Sequence, residues 1–111
     1  MRHPYYKLEG RTPVPCALFV EGWRGDRRVA EAHVGFCYVS TVFLVVNHSF
    51  DDGPPLIFET MVFPRGTSED LWCTRCSTWE QAERQHRIAI WLTIFNLRWQ
   101  WKGLRSLHLK E

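Results

Sequence analysis

The densest apolar pattern lies in two runs, Phe36–Val46 and Leu56–Phe63, separated by the segment NHSFDDGPP at 47–55. Both runs are rich in β-branched and aromatic residues, which fit a pleated, half-buried surface. The segment between them is loaded with turn formers. A β-hairpin at about Val39–Phe63 is therefore the strongest expectation. Its first strand is almost continuously apolar, which implies cover on both faces for part of its length. If Val46 pairs with Leu56, then Leu44 faces Phe58, Val42 faces Thr60 and Ser40 faces Val62 on the side expected to meet a helix. The other side then holds Val45 with Ile57, Phe43 with Glu59, Thr41 with Met61 and Val39 with Phe63.

The flanks complete an α+β pattern. Tyr5–Leu8 reads as a short strand, ended by Glu9 and Gly10. Thr12–Pro15 is stiff and non-helical at its start, because each proline restricts its predecessor. Cys16–Trp23 fits a short helix or an extended lid, and Arg24–Arg28 a basic loop. Arg28–Val34 alternates as a strand does, and Leu71–Cys76 is a shorter one. Ser77-Thr78-Trp79-Glu80 fits a capping box in which Ser77 and Glu80 exchange hydrogen bonds. Trp79, Ala82, His86, Ala89, Ile90 and Thr93 then share one helical stripe, the expected core face. Beyond Ile88 the other faces also turn apolar, through Trp91, Leu92, Ile94 and Phe95. That end should be covered by the N-terminal segment, the C-terminal tail, a second copy or a partner. The predicted architecture is one α+β domain over 1–111, with an antiparallel sheet of three to five strands and one long C-terminal helix packed on a face.

Composition narrows the class. With 45% apolar residues, the chain of 111 can bury one real core and is far from the composition of disorder. Six Trp, seven Phe and three Tyr mean that aromatic rings dominate that core. The net charge of +2 does not demand a polyanionic partner, but its distribution is uneven. Acids Asp51, Asp52, Glu59, Glu69, Asp70, Glu80 and Glu83 precede a basic end carrying Arg84, Arg87, Arg98, Lys102, Arg105 and Lys110 against Glu111 alone. The N-terminus has no secretory pattern, and the longest apolar stretch, Ile88–Phe95, is too short to span a bilayer. A cytoplasmic location without membrane association is expected, with Cys16, Cys37, Cys73 and Cys76 reduced.

Four constellations are candidates for chemistry. Glu59 sits in an apolar strand and needs solvent or a partner, for which Arg28, Arg75, His48 and His86 are the candidates. His48, Asp51, Asp52, Glu59 and His86 could together form a metal or general acid–base site. Their spacing equally suits loop caps and a core-edge histidine. Cys73 and Cys76 form a single CxxC that would need Cys16 and Cys37 to complete a zinc site, whereas i and i+3 in a strand point to opposite faces. Cys76 also lies near the positive end of the helix, where a thiol pKa is lowered. Finally, Arg98, Trp99, Trp101, Lys102 and Arg105, with Trp91, mix cations and indoles in the manner of protein interfaces or of single-stranded nucleic-acid grooves. Rings folded back on the sheet are the third alternative.

Three stretches resemble a family of small, functionally uncharacterised proteins of bacteriophages and bacterial mobile elements. They are Arg28-Val29-Ala30 with Val39-Ser40-Thr41-Val42-Phe43-Leu44; Asn47-His48-Ser49-Phe50 through Gly53-Pro54-Pro55-Leu56-Ile57-Phe58-Glu59-Thr60-Met61-Val62-Phe63; and Ser77-Thr78-Trp79-Glu80-Gln81-Ala82 with His86. The chain departs from the pattern at Pro64-Arg65-Gly66, where the family carries a glycine-rich segment. The resemblance implies a phage or prophage setting and carries no catalytic residue.

The function expected on these grounds is a non-enzymatic protein-binding module without a cofactor. Its partner would be a host protein or complex, and inhibition of a host defence system of the anti-CRISPR type is one role for it. Self-association as a homodimer fits the same surfaces. The alternatives are a metal-dependent hydrolase or nuclease using His48, Glu59 and His86, and nucleic-acid binding through the C-terminal tail.

Overall fold

A computed structural model describes residues 2–109; Lys110 and Glu111, part of the basic end noted above, lie outside the described residues. The elements run β1 (Tyr5–Glu9), β2 (Thr12–Cys16), α1 (Phe19–Trp23), β3 (Arg28–Val34), β4 (Cys37–Phe43), β5 (Phe58–Pro64), β6 (Trp72–Cys76), α2 (Trp79–Ile94) and α3 (Leu97–Leu109). Strands β3 to β6 form a four-stranded antiparallel meander in sequence order, and β1 with β2 forms a separate hairpin. The α+β arrangement matches the expectation, with two C-terminal helices where one was predicted.

Strand β2 carries two prolines, Pro13 and Pro15, opposite Leu8 and Tyr6. Their spacing of two puts both missing N–H groups on the edge that β1 does not use, which is where a strand tolerates proline.

The central hairpin is present but its register differs by one residue from the prediction. Phe43 pairs with Phe58, Thr41 with Thr60 and Val39 with Val62, while Val42 and not Phe43 lies opposite Glu59. A slip of one exchanges the faces of a strand. The buried face of β4 is therefore Cys37, Val39, Thr41 and Phe43, and Ser40 and Val42 point to the open side. The cause is Val45. Leu44 N–H still donates to Ile57 O (2.7 Å), but Val45 turns into the left-handed region (φ 74°) and the next cross-strand bond is His48 N–H to Leu56 O (3.0 Å). Positive φ is costly for a β-branched residue. Here it is held by complete burial and by a hydrogen bond from Tyr6 N–H to Val45 O (2.9 Å). Gly22 of α1 lies directly above, where a Cβ would come within 2.6 Å of Val45 Cγ1 and 2.1 Å of Tyr6 O. The kink thus passes the chain from the meander to the N-terminal hairpin.

Helix α2 starts one residue later than the motif suggested. Thr78 Oγ1 accepts from Gln81 N–H (3.1 Å), and Gln81 Oε1 accepts from Thr78 N–H (3.2 Å) and Ser77 N–H (3.0 Å). The stripe predicted for its core face is the one that packs: Ala82, His86, Ala89 and Thr93 are buried, and Trp79 and Ile90 close the two core clusters. One cluster is centred on Phe43, Val45, Ile57, Phe58 and Ala82, the other on Cys37, Val39, Val62 and Ala89.

The helical chain breaks at Phe95–Asn96 because Asn96 caps α3, its Oδ1 accepting from Trp99 N–H (3.1 Å). Gln100 fixes the angle that follows. Its Oε1 accepts from Phe36 N–H (2.7 Å), and its Nε2 donates to Val34 O (2.9 Å) and Thr93 O (3.1 Å). One amide therefore ties α3 to the β3–β4 turn and to the last turn of α2.

Candidate protein-binding surface

Among the described residues, neither the N-terminal segment nor the C-terminal tail covers the apolar end of α2. Ile88, Trp91, Leu92, Ile94 and Phe95 are all exposed, Trp91 to 61% and Phe95 to 72%, and Leu97 at the start of α3 is 82% exposed. The Trp91 and Phe95 rings stack on each other at 5.6 Å, one helical turn apart, and form a ridge. Beside it, Ile88, Leu92, Asn96, Leu97 and Arg98 line a shallow hollow of about 770 Å³ in the elbow between α2 and α3. A contiguous apolar surface of this kind marks an interaction site more often than a single exposed ring does.

Charge frames the hollow on one side of the scale only. Arg84 lies one turn before Ile88 on the same helical row, Arg87 one turn before Trp91, and Arg98 lines the hollow itself. Between Arg84 and Lys110 the sequence contains no Asp or Glu.

Of the residues singled out for binding, Trp91, Arg98, Trp101, Lys102 and Arg105 are exposed. Trp99 is not: it is half-buried against Cys37, Val39, Val62 and Ala89, and its carbonyl accepts from the Cys37 thiol at 3.3 Å. The spacing of α3 turns Trp99 and Gly103 inward and leaves Arg98, Trp101, Lys102 and Arg105 outward. Ile88, Leu92, Phe95 and Leu97 complete the surface and were not singled out. The signal for them was the all-round apolar character after Ile88.

The residues named for hydrolysis do not converge. His86 is buried on the helix side, where its Nδ1 lies 2.7 Å from Thr41 Oγ1, itself 2.8 Å from Thr60 Oγ1. Glu59 lies on the opposite, open face, and its carboxylate accepts from Arg75 Nε at 2.9 Å. The awkward carboxylate is thus paired across the neighbouring strand. His48 is half-buried after the kink. Asp51 caps its own loop by accepting from Gly53 N–H (2.8 Å) and Ser49 Oγ (3.1 Å), and the Gly53 bond holds its pKa below the ordinary value. Among the described residues no three His, Cys, Asp or Glu side chains come together as a metal site.

The cysteines are dispersed as well. Cys73 and Cys76 fall on opposite faces of β6, and all four thiols are free. Burial pushes the Cys76 thiol up to about 11, so proximity to α2 does not activate it as the sequence suggested. At Cys73 desolvation and then the Glu59 carboxylate, 3.6 Å away, push the thiol up to about 11.

His86 carries a pH prediction. Burial, reinforced by the charge of Arg28, holds its pKa below the ordinary 6.5. The unfolded chain then takes up the proton first, so stability falls as pH drops through the unfolded-state value of about 6.5. Chemical denaturation between about pH 7.5 and about pH 5.5 should show a shallower fall for His86→Gln than for the wild type. Parallel profiles would remove His86 as the source.

No helix among the described residues is long and apolar enough to cross a membrane. Comparison with protein-family models, with curated proteins and with solved structures finds no match to the chain.

Proposed function

We propose that the protein is a non-enzymatic protein-binding module that uses the α2–α3 elbow to hold an acidic, amphipathic segment of a partner protein. The observation that carries this reading is the exposed apolar ridge and hollow at Ile88, Trp91, Leu92, Phe95 and Leu97, with Arg98 in its lining and Arg84 and Arg87 one turn before its apolar residues. Apolar anchors at i, i+3 and i+4 of a partner helix would fill such a groove, and its acidic residues would meet Arg84, Arg87 and Arg98. A second copy fits less well. A two-fold contact sets a surface against itself, which would turn the Arg98-lined hollow of one copy toward that of the other.

The setting we propose is a phage or mobile element acting on a protein of the host cytoplasm, with a defence complex of the anti-CRISPR type as the target class. Its support is the sequence resemblance over residues 28–86.

Selection of displayed peptides against the intact protein tests the site. Enriched sequences should carry apolar residues at helical spacing flanked by Asp or Glu. Trp91→Ala should weaken a selected peptide by about thirtyfold, as loss of a central aromatic anchor does. Enrichment of basic peptides, or indifference to Trp91→Ala, would sink the reading. For the setting, a host-lysate pulldown should recover a complex with the wild type that Trp91→Ala loses. A nucleic acid retained equally by both proteins, and released by salt, would instead assign the surface to Arg98, Lys102 and Arg105.

A further inference from the structure

The open face of the meander holds a second, chemically different hollow. It measures about 670 Å³ and is lined by Arg28 and His33 of β3, Tyr38 and Ser40 of β4, Phe63 and Pro64 of β5 and the turn at 65–68 that follows β5. Its floor is aromatic, because Tyr38 and Phe63 are directly paired across the strands with ring centroids 6.5 Å apart and planes tilted by 47°. The turn that forms its rim is pinned rather than loose. Arg65 N–H donates to Phe36 O (3.0 Å), Thr67 N–H donates to Pro64 O (3.3 Å), and Gly66 supplies the positive φ (79°) that the reversal needs.

Two guanidinium groups face this floor. Arg28 is positioned through one nitrogen: Nη1 donates to Glu31 Oε2 (3.0 Å), Tyr38 Oη (2.6 Å) and Ser40 Oγ (3.1 Å). The Tyr38 hydroxyl also donates to the Glu31 carboxylate, so that carboxylate is already satisfied twice. Among the described residues no hydrogen bond engages Nη2 or Nε of Arg28, which leaves them as donors for a ligand. Arg65 has no carboxylate partner among the described residues, and its Nε is buried without a hydrogen bond. The Arg65 charge is therefore uncompensated by any carboxylate among the described residues, and an arriving anion would supply the missing counter-charge through the terminal nitrogens of the guanidinium.

We propose that this hollow binds a small aromatic anion, a phosphate or carboxylate carried on a planar ring. The anionic group would bridge Arg28 and Arg65, whose planar forks suit bidentate contact with both oxyanions. The ring would lie against Tyr38 and Phe63. Glu31 sets the preference within the hollow, since its charge repels an anion on the β3 side and directs it toward the turn. The site is independent of the α2–α3 elbow and stands or falls without it.

Phenyl phosphate and benzoate are the probes, with inorganic phosphate and phenol as the half-ligands. In amide correlation spectra of the intact protein, millimolar phenyl phosphate or benzoate should shift Tyr38, Ser40, Phe63 and residues 65–68. Either half-ligand should bind at least about tenfold more weakly, having lost one class of contact. Arg65→Gln should weaken the aryl anion about tenfold or more, as loss of a charge-assisted hydrogen bond does. Ser68→Glu, a change at an exposed rim position, tests the same point without touching a buried group and should abolish binding. The relative strength of the two probes assigns the oxyanion. Shifts clustered instead at Arg98, Lys102 and Arg105, shifts unchanged in both variants, or no shift at all would overturn the proposal.

Discussion

Gly103→Ala is expected to destabilise the protein by about 3 kcal/mol, the upper part of the range for overpacking. Helix propensity alone predicts the opposite sign, a gain of about 1 kcal/mol for replacing a mid-helix glycine with alanine. The difference lies in what the new methyl meets. It would sit 1.9 Å from Phe36 O and 2.6 Å from Phe36 C, atoms of the tight turn between β3 and β4. Neither is the tip of a side chain that can rotate away, and Phe36 N–H is itself held by Gln100. Helix α3 would have to lift, stretching the Gln100 bonds and withdrawing Trp99 from the core. The elbow hollow would open with it, so affinity for a partner segment should fall in the same variant. Denaturant midpoints decide the sign; a more stable Gly103→Ala would mean that α3 does not dock on the turn.

Phe58→Ala is expected to cost about 3–5 kcal/mol, the usual range for emptying a buried aromatic site. Phe58 is fully buried where three elements meet. Its ring lies 5.4 Å from that of Phe43 on the adjacent strand and meets the Trp79 indole of α2 edge-on at 6.2 Å. Removing it separates the sheet from the first turn of the helix. Phe58→Leu keeps most of the volume and should lose under about 1.5 kcal/mol. Equal losses for the two variants, read from equilibrium unfolding, would contradict a packing origin.

The positions of the strands were legible because their signals are local. Arg28–Val34 alternates moderately, and turn formers separate the two strands of the central hairpin. Which face of β4 is buried was not legible, because Val39, Thr41 and Phe43 are hardly more apolar than Ser40, Val42 and Leu44. Only the left-handed turn at Val45 settles the register, and valine is among the residues least expected there. The second strand of the N-terminal hairpin was hidden by its prolines, which exclude a central strand but not an edge. Helix α3 was not read from the sequence: Asn96 was not recognised as a cap, and Gly103 resembles a helix breaker until its close approach to Phe36 is seen. The candidate surface divides in the same way. Its chemistry, indoles among cations, could be read from composition, but the sorting of Trp99 inward and Trp91 outward depends on how the break at Asn96 aims α3. The pairing of Glu59 with Arg75 was one of several readings, and cross-strand geometry selected it.

For the acidic partner proposed above, the basic character of the α2–α3 end would separate how fast it arrives from how long it stays. Encounter with an acidic surface is steered by long-range attraction, which salt screens over about 8–10 Å. Residence depends on short-range burial against Trp91, Leu92 and Phe95, which salt hardly touches. Raising ionic strength should therefore slow association while leaving the dissociation rate nearly constant, and truncating the ridge should do the reverse. A protein built this way could find its target quickly in dilute conditions and still be tuned for lifetime through a few apolar side chains.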